Sequence, residues 1–128
     1  MSSIQPGTWR GKVLAVDDDE AVLTLLLKVL SDAGYEVSTA QDGAEALRIA
    51  QTQSFDLLLT DLVMPDQDGI EVIRNIRKQQ PNLRIIAISG AFGGTMLPAA
   101  KLLGAHATLP KPCSPSHLLA TLRKVLQS

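Results

Sequence analysis

Four short apolar runs each end on a residue that can carry chemistry. Val13-Leu14-Ala15-Val16 runs into Asp17-Asp18-Asp19, and Leu57-Leu58-Leu59-Thr60 runs into Asp61. Leu83 to Ile88, broken only by Arg84, runs into Ser89-Gly90, and Ala107-Thr108-Leu109-Pro110 into Lys111-Pro112. Between the runs lie segments with helical periodicity. Strands that alternate with helices form a parallel sheet covered on both faces, so their strands read as nearly continuous apolar stretches. Right-handed crossovers place every strand-to-helix loop on one edge of such a sheet. The chain is therefore expected to gather three or four carboxylates, a hydroxyl and an ammonium along one edge.

The pattern predicts strands at Lys12–Asp17, Tyr35–Ala40, Phe55–Thr60, Leu83–Ile88 and Ala107–Leu109. It predicts helices from Asp19 or Glu20 to Ala33, closed by Gly34, over Gly43–Gln51, and from Asp68 or Gly69 to Gln79. A short helix is expected over Met96–Leu103, with Pro98 in its first turn, and a last one capped by Ser114 with Pro115 at its first position. In that last helix Leu118, Leu119, Leu122, Val125 and Leu126 recur on one face. Residues 1–10, with Pro6, Gly7 and Trp9 and no periodicity, read as a tail. Residues 11–128 read as one domain, and no internal repeat or linker interrupts them.

Bulk properties exclude several classes. At 128 residues and 45% hydrophobic content the chain suits one domain with a real core. A net charge of −1 argues against nucleic-acid binding spread over the surface. The apolar stretch from Ala21 to Leu30 is interrupted by Thr24 and Lys28, too short and too polar to span a bilayer. The first residues lack a signal-peptide pattern. The single cysteine, Cys113, cannot form an internal disulfide, which fits a reducing cytoplasm.

Grouped carboxylates repel one another unless a cation sits among them. Asp17, Asp18 and Asp61 suit a small hard cation such as Mg²⁺, which takes oxygen ligands and keeps waters. Asp61, alone at its strand end, can act as a nucleophile and form an acyl phosphate. Lys111 can pair with a carboxylate at rest and with phosphoryl oxygen afterwards. Ser89 can donate to the phosphoryl group, and Gly90 leaves room beside it. Each residue alone has an ordinary explanation: a helix-dipole run for the aspartates, a turn residue for Asp61, a solvated loop for Lys111. Only their conjunction on four strand ends is specific. A nucleotide or flavin binder is disfavoured, because the first strand-to-helix loop reads DDDE with no glycine cradle. Neither His106 nor His117 has a context tying it to a serine, and both read as surface residues.

On these residues the chain resembles the receiver domains of two-component signalling. The matching stretches are VLAVDDDEAV (13–22), YEVSTAQDGAEAL (35–47), DLLLTDLVMPDQDGIEVIRNIR (56–77), RIIAISG (84–90) and GAHATLPKPCSPSHLLATLRKVL (104–126). The resemblance implies a flavodoxin-like (βα)₅ fold, a doubly wound α/β sheet of five parallel strands in the order 2-1-3-4-5. It implies Asp61 as phosphoacceptor, Asp17 and Asp18 as the acidic pair holding Mg²⁺, and the backbone carbonyl of Val63 as a further ligand. Ser89 and Lys111 would complete the catalytic set. Similar domains take the phosphoryl group from a histidine kinase or a histidine phosphotransfer domain, and they catalyse their own phosphorylation and hydrolysis rather than a metabolic reaction. A downstream protein or attached output domain would read the switch, with no direct nucleic-acid contact and no membrane insertion. Such domains are monomers or weak homodimers. The alternative is a phosphorylation-independent interaction module of the same fold.

The sequence departs from that pattern at four places. Thr108 stands where many receivers carry an aromatic ring. Val63 and Ala91, at the variable positions facing the phosphoryl group, cannot hydrogen-bond an attacking water, so self-hydrolysis is expected to be slow. Gly93-Gly94 softens the loop after the fourth strand, and Cys113 replaces a common Phe. Leu97, Leu102 and Leu103 are candidate partner contacts.

Overall fold

Side chains alternate across a strand, and that alternation divides the core in two. The computed structural model describes residues 10–62, 69–90, 101, 104–111 and 113–127, with side chains at 69 and 70 left aside. Strands β1 (Lys12–Val16), β2 (Glu36–Ala40), β3 (Leu57–Asp61), β4 (Arg84–Ser89) and β5 (Ala107–Pro110) form one parallel sheet in the order β2-β1-β3-β4-β5. The four described helices are α1 (Glu20–Asp32), α2 (Gly43–Thr52), α3 (Gly69–Gln79) and α4 (Pro115–Gln127). The architecture is the expected flavodoxin-like one.

Leu14, Val16, Leu58, Ile85 and Ala87 face one way, against Ala46 and Ala50 of α2 and Val72, Ile73 and Ile76 of α3. Val13, Ala15, Leu57, Leu59, Ile86, Ile88 and Leu109 face the other, against Leu23, Leu26 and Leu30 of α1 and Leu118, Leu122 and Val125 of α4. Each fully buried Leu or Ile contributes about 1.5–3 kcal/mol by leaving water. Both faces of the central strands are thus apolar, which is why β1, β3 and β4 read as unbroken runs. Leu119 and Leu126 are only partly buried at the margin of the second cluster.

The ends of the elements differ from expectation where polar groups intervene. Tyr35 was expected in the second strand, but its N–H donates to the Leu30 carbonyl at 3.0 Å while the Gly34 N–H donates to Ser31 at 3.0 Å. This pair closes α1, with Gly34 at φ +99° in the left-handed region. Tyr35 is spent on the cap, so β2 starts at Glu36. Phe55 and Asp56 likewise precede β3: the Phe55 N–H donates to the Gln80 side chain and the Asp56 N–H to the Lys12 carbonyl. Strand β1 stops at Val16, although the Asp17 N–H still reaches the Ala40 carbonyl. The Ser114 hydroxyl accepts the His117 N–H at 3.1 Å and caps α4 as expected. Helix 96–103 apart from Lys101, Gly93-Gly94, Ala91, Leu97, Val63 and the tail up to Trp9 lie outside the described residues. The Arg10 N–H donates to the Gly34 carbonyl. No described helix is long and apolar enough to cross a membrane.

Gln80 ties three elements together. Its Oε1 accepts the Phe55 N–H at 3.1 Å, and its Nε2 donates to the Ala50 carbonyl at 2.9 Å and the Gln53 carbonyl at 3.2 Å. Replacing it strands groups at the ends of α2 and ahead of β3. Gln80→Ala is expected to cost about 1–3 kcal/mol, read from the urea midpoint at unchanged slope. A loss below about 0.5 kcal/mol, the usual effect of a surface substitution, would show that water replaces these bonds.

Candidate functional site

Strand order reverses between β1 and β3, because the chain leaves β1 for β2 on one side and returns to β3 on the other. Ligands of open α/β sheets bind outside the carboxyl ends at such a point. The register pairs Val16 with Thr60 and Asp61 with Ile88. Asp17 and Asp61 therefore emerge side by side at the reversal, with Ser89 one residue beyond Ile88. Ser89 pairs with Pro110, so Lys111 follows at the end of β5. The four expected strand ends do meet.

Asp17 and Asp61 are buried, at 2% and 8% exposure, while Asp18 is exposed. Oxygens of the three carboxylates lie within 4.8 Å of one another. The Lys111 ammonium donates to Asp17 Oδ2 at 2.6 Å and to Asp61 Oδ2 at 2.9 Å. The other oxygen of Asp17 accepts the Asp19 N–H at 2.9 Å. Asp19 itself is the N-cap of α1, its Oδ1 accepting the Ala21 N–H at 2.9 Å. The acidic run thus divides its labour: Asp17 and Asp18 serve the cluster, and Asp19 starts the helix.

Burial pushes the Asp17 carboxyl above its ordinary range. The Lys111 hydrogen bond and the Asp19 N–H oppose this, and the charge of Asp61 adds to it. Burial alone would lower the Lys111 ammonium, but its bonds to Asp17 and Asp61 outweigh that and hold it above its ordinary range. One ammonium among three carboxylates leaves two negative charges uncompensated when all are ionised. An all-oxygen cluster with that deficit fits a hard divalent cation. Burial also raises the Cys113 thiol, against the pull of Lys111. It is a half-buried packing residue with no thiolate chemistry at neutral pH.

Gly90 has a role beyond the expected one. A Cβ there would lie 2.9 Å from the Lys111 Cβ and 3.1 Å from its carbonyl oxygen. The glycine lets the ends of β4 and β5 approach, which sets the lysine. Thr108 is half-buried and pairs with Ala87 in β5. Thr60, read from the sequence only as a strand residue, is fully buried, and its hydroxyl donates to the Asp61 carbonyl at 3.0 Å. A lone hydroxyl beside Asp61 in an apolar strand was the available signal. The Ser114–His117 bond uses the histidine's backbone N–H, so it is a cap and not a catalytic pair.

The comparisons agree with this geometry. Residues 13–123 match the family described as Response regulator receiver domain. The chain is 39% identical over 119 residues to the alkaline phosphatase synthesis transcriptional regulatory protein PhoP of Bacillus subtilis, covering 91% of this chain and 48% of that protein. It is 36% identical over 118 residues to the DNA-binding transcriptional regulator NtrC of Azospirillum brasilense, covering 91% of this chain and 24% of that protein. The chain spans half or less of the length of these curated relatives. Among solved structures, the chemotaxis response regulator CheY4 of Vibrio cholerae superposes with a TM-score of 0.82 at 39% identity, covering 89% of this chain and 97% of that one.

Two outcomes are expected. Ionised Asp17 opposes folding, because a raised carboxyl binds its proton more tightly in the folded state. That cost is fully present above the folded value and vanishes below the ordinary one near 3.8. Asp17→Asn should therefore match or exceed the wild-type Tm in chelator, while Mg²⁺ should raise Tm in the wild type and much less in the variant. A variant that gains as much from Mg²⁺ as the wild type removes Asp17 from the metal set. Gly90→Ala forces a Cβ to 2.9 Å from the Lys111 Cβ and should therefore lower Tm and diminish the rise in Tm on adding Mg²⁺. A Tm and a Mg²⁺ response equal to those of the wild type would show that the strand ends give way without cost.

Proposed function

The chain belongs to the response regulator receiver domain family, and on that premise we propose that Asp61 is its phosphoacceptor. The observation that carries this is the buried Asp61 carboxylate held by the Lys111 ammonium at 2.9 Å, beside Asp17 at the strand-order reversal. A carboxylate oxygen of Asp61 attacks the phosphorus of a phosphohistidine on a histidine kinase or a histidine phosphotransfer domain. The new O–P bond forms as the P–N bond breaks, and the imidazole nitrogen leaves with the electron pair. Asp17, Asp18, Asp61 and the backbone carbonyl of Val63 would hold Mg²⁺, and bound there it would supply charge neutralisation for the incoming phosphoryl oxygens. Lys111 then turns from the carboxylates to a phosphoryl oxygen, and the Ser89 hydroxyl donates a hydrogen bond to another.

The switch follows from charge. Phosphorylation adds negative charge to an edge already rich in it, and Lys111 and Ser89 re-pair in response. Such a change regulates only through different affinities of a partner for the two states. The reader is a downstream protein or an attached output domain; this domain itself makes no nucleic-acid contact. Thr108 offers no large ring to bury or expose, so the readout relies on backbone shifts after β4. An apolar groove of about 390 Å³ beside Lys111, lined by Val22, Leu25, Val29, Pro115 and Leu118, gives a donor protein a surface on which to seat. The domain acts in the cytoplasm as a monomer or weak homodimer, with residues 11–128 as the folded unit.

Intact mass after incubation with Mg²⁺ and acetyl phosphate tests the reading. Wild type is expected to gain one phosphoryl group and Asp61→Asn none. Equal gain in both moves the acceptor elsewhere. No gain in either, without Mg²⁺ binding, leaves a constitutive docking module. Because Val63 and Ala91 cannot position a water, the phosphoform should outlast that of a Val63→Asn variant in the same assay. Identical decay in both would show that these side chains do not limit hydrolysis.

A further inference from the structure

We propose that His106 is a positioning residue: its imidazole latches the amino end of β5 to β4, and through that short strand it holds Lys111 on Asp17 and Asp61 until the ring takes up a proton. The consequence for phosphoryl acceptance rests on the reading above; the latch does not.

Strand β5 has four residues and lies at the edge of the sheet, with β4 as its neighbour. Its last residue, Pro110, pairs with Ser89 but has no N–H to donate. The ladder bond at this end comes from the Lys111 N–H, which reaches the Ser89 carbonyl at 3.2 Å. Pairing at the other end is unusual. The His106 N–H donates to the Ile85 carbonyl at 2.7 Å, and the Ile85 N–H donates to His106 Nδ1 at 3.0 Å. A ring nitrogen thus takes the place of a backbone acceptor. The Gly104 carbonyl, two residues earlier, is held by the Arg77 guanidinium at 2.7 Å.

Only the neutral ring with its proton on Nε2 can accept at Nδ1. Protonation turns Nδ1 into a donor facing a donor, and the N–H of the buried Ile85 loses its acceptor at this part-buried site. Among the described residues the charged groups acting on His106 are Arg77 from α3, Arg84 from β4 and Lys101 ahead of β5, all cationic. Burial first, and then these charges, hold the ring below its ordinary value. The neutral form's contribution is therefore complete above about 6.5, the unfolded value, and is lost as pH falls through it toward the lower folded one. Strand register is the quantity at stake. A slip of one residue moves a side chain by about 3.3 Å and to the other face. The 2.6 Å contact between Lys111 and Asp17 cannot survive that.

The test compares wild type, His106→Asn and His106→Ala as full-length chains. Asn offers an amide oxygen as acceptor and does not titrate. Amide hydrogen exchange, corrected for intrinsic rates, is followed at Ile85 and Lys111 between about pH 8 and about pH 5.5. In the wild type, protection at both amides is expected to fall together by at least about threefold. It should stay flat in the Asn variant and be low throughout in the Ala variant. Superimposable pH profiles for wild type and Asn overturn the latch. Loss at Ile85 without loss at Lys111 overturns the positioning role. Acetyl phosphate uptake over the same range should fall with Lys111 protection in the wild type alone. No uptake by any of the three at any pH defeats the phosphoacceptor reading, while the exchange data still decide the latch.

Discussion

The bridge from Lys111 to both Asp17 and Asp61 is the interaction on which the site depends. Two carboxylates buried side by side are mutually repulsive, and burial alone disfavours their charge. One ammonium, reaching both at hydrogen-bond distance, makes the pair tolerable. It does so incompletely, since burial still holds the Asp17 carboxyl above its usual range. The site is thus an electrostatic deficit built into a stable fold. The fold tolerates it because two apolar layers, one on each face of the sheet, carry the stability.

The same apolar layers place the deficit. Parallel strands of similar length, paired in register, put their carboxyl ends on one line. The reversal of strand order separates the loops after β1 and β3, so the helices that follow leave toward opposite faces and open the crevice there. Backbone polar groups then finish the geometry: the Asp19 N–H turns one oxygen of Asp17, and the Thr60 hydroxyl engages the Asp61 carbonyl. The close approach of Gly90 to Lys111 sets the height of the lysine over the carboxylates.

Most of this architecture was legible in the sequence, because it rests on periodicity and on residues at strand ends. The five strands and the meeting of Asp17, Asp18, Asp61, Ser89 and Lys111 on one edge follow from patterns the chain displays openly, whereas the strand order is implied by the family resemblance and not by periodicity. Boundaries failed where a residue that looks like strand serves another purpose. Tyr35 has a strand-like side chain, but its N–H closes α1. The contact of Gly90 with Lys111 was not legible for a related reason: a sequence shows that a side chain is missing, not which atoms come close. His106 was read as a surface residue. It is indeed exposed, but the bond from the Ile85 N–H to its ring depends on how the chain enters β5, which no periodicity encodes.

The bond from Lys111 to Asp17 joins residues 94 apart in the chain, and that to Asp61 joins residues 50 apart. Contacts this distant close only after the intervening loops have paid their entropy. A chain emerging from synthesis, or one whose last strand has not docked, already carries its aspartates but lacks the ammonium that makes their burial bearable. No partly folded species without β5 holds a complete site. Competence is therefore withheld until the last quarter of the polypeptide is in place, and the charge network doubles as a check on the completeness of folding.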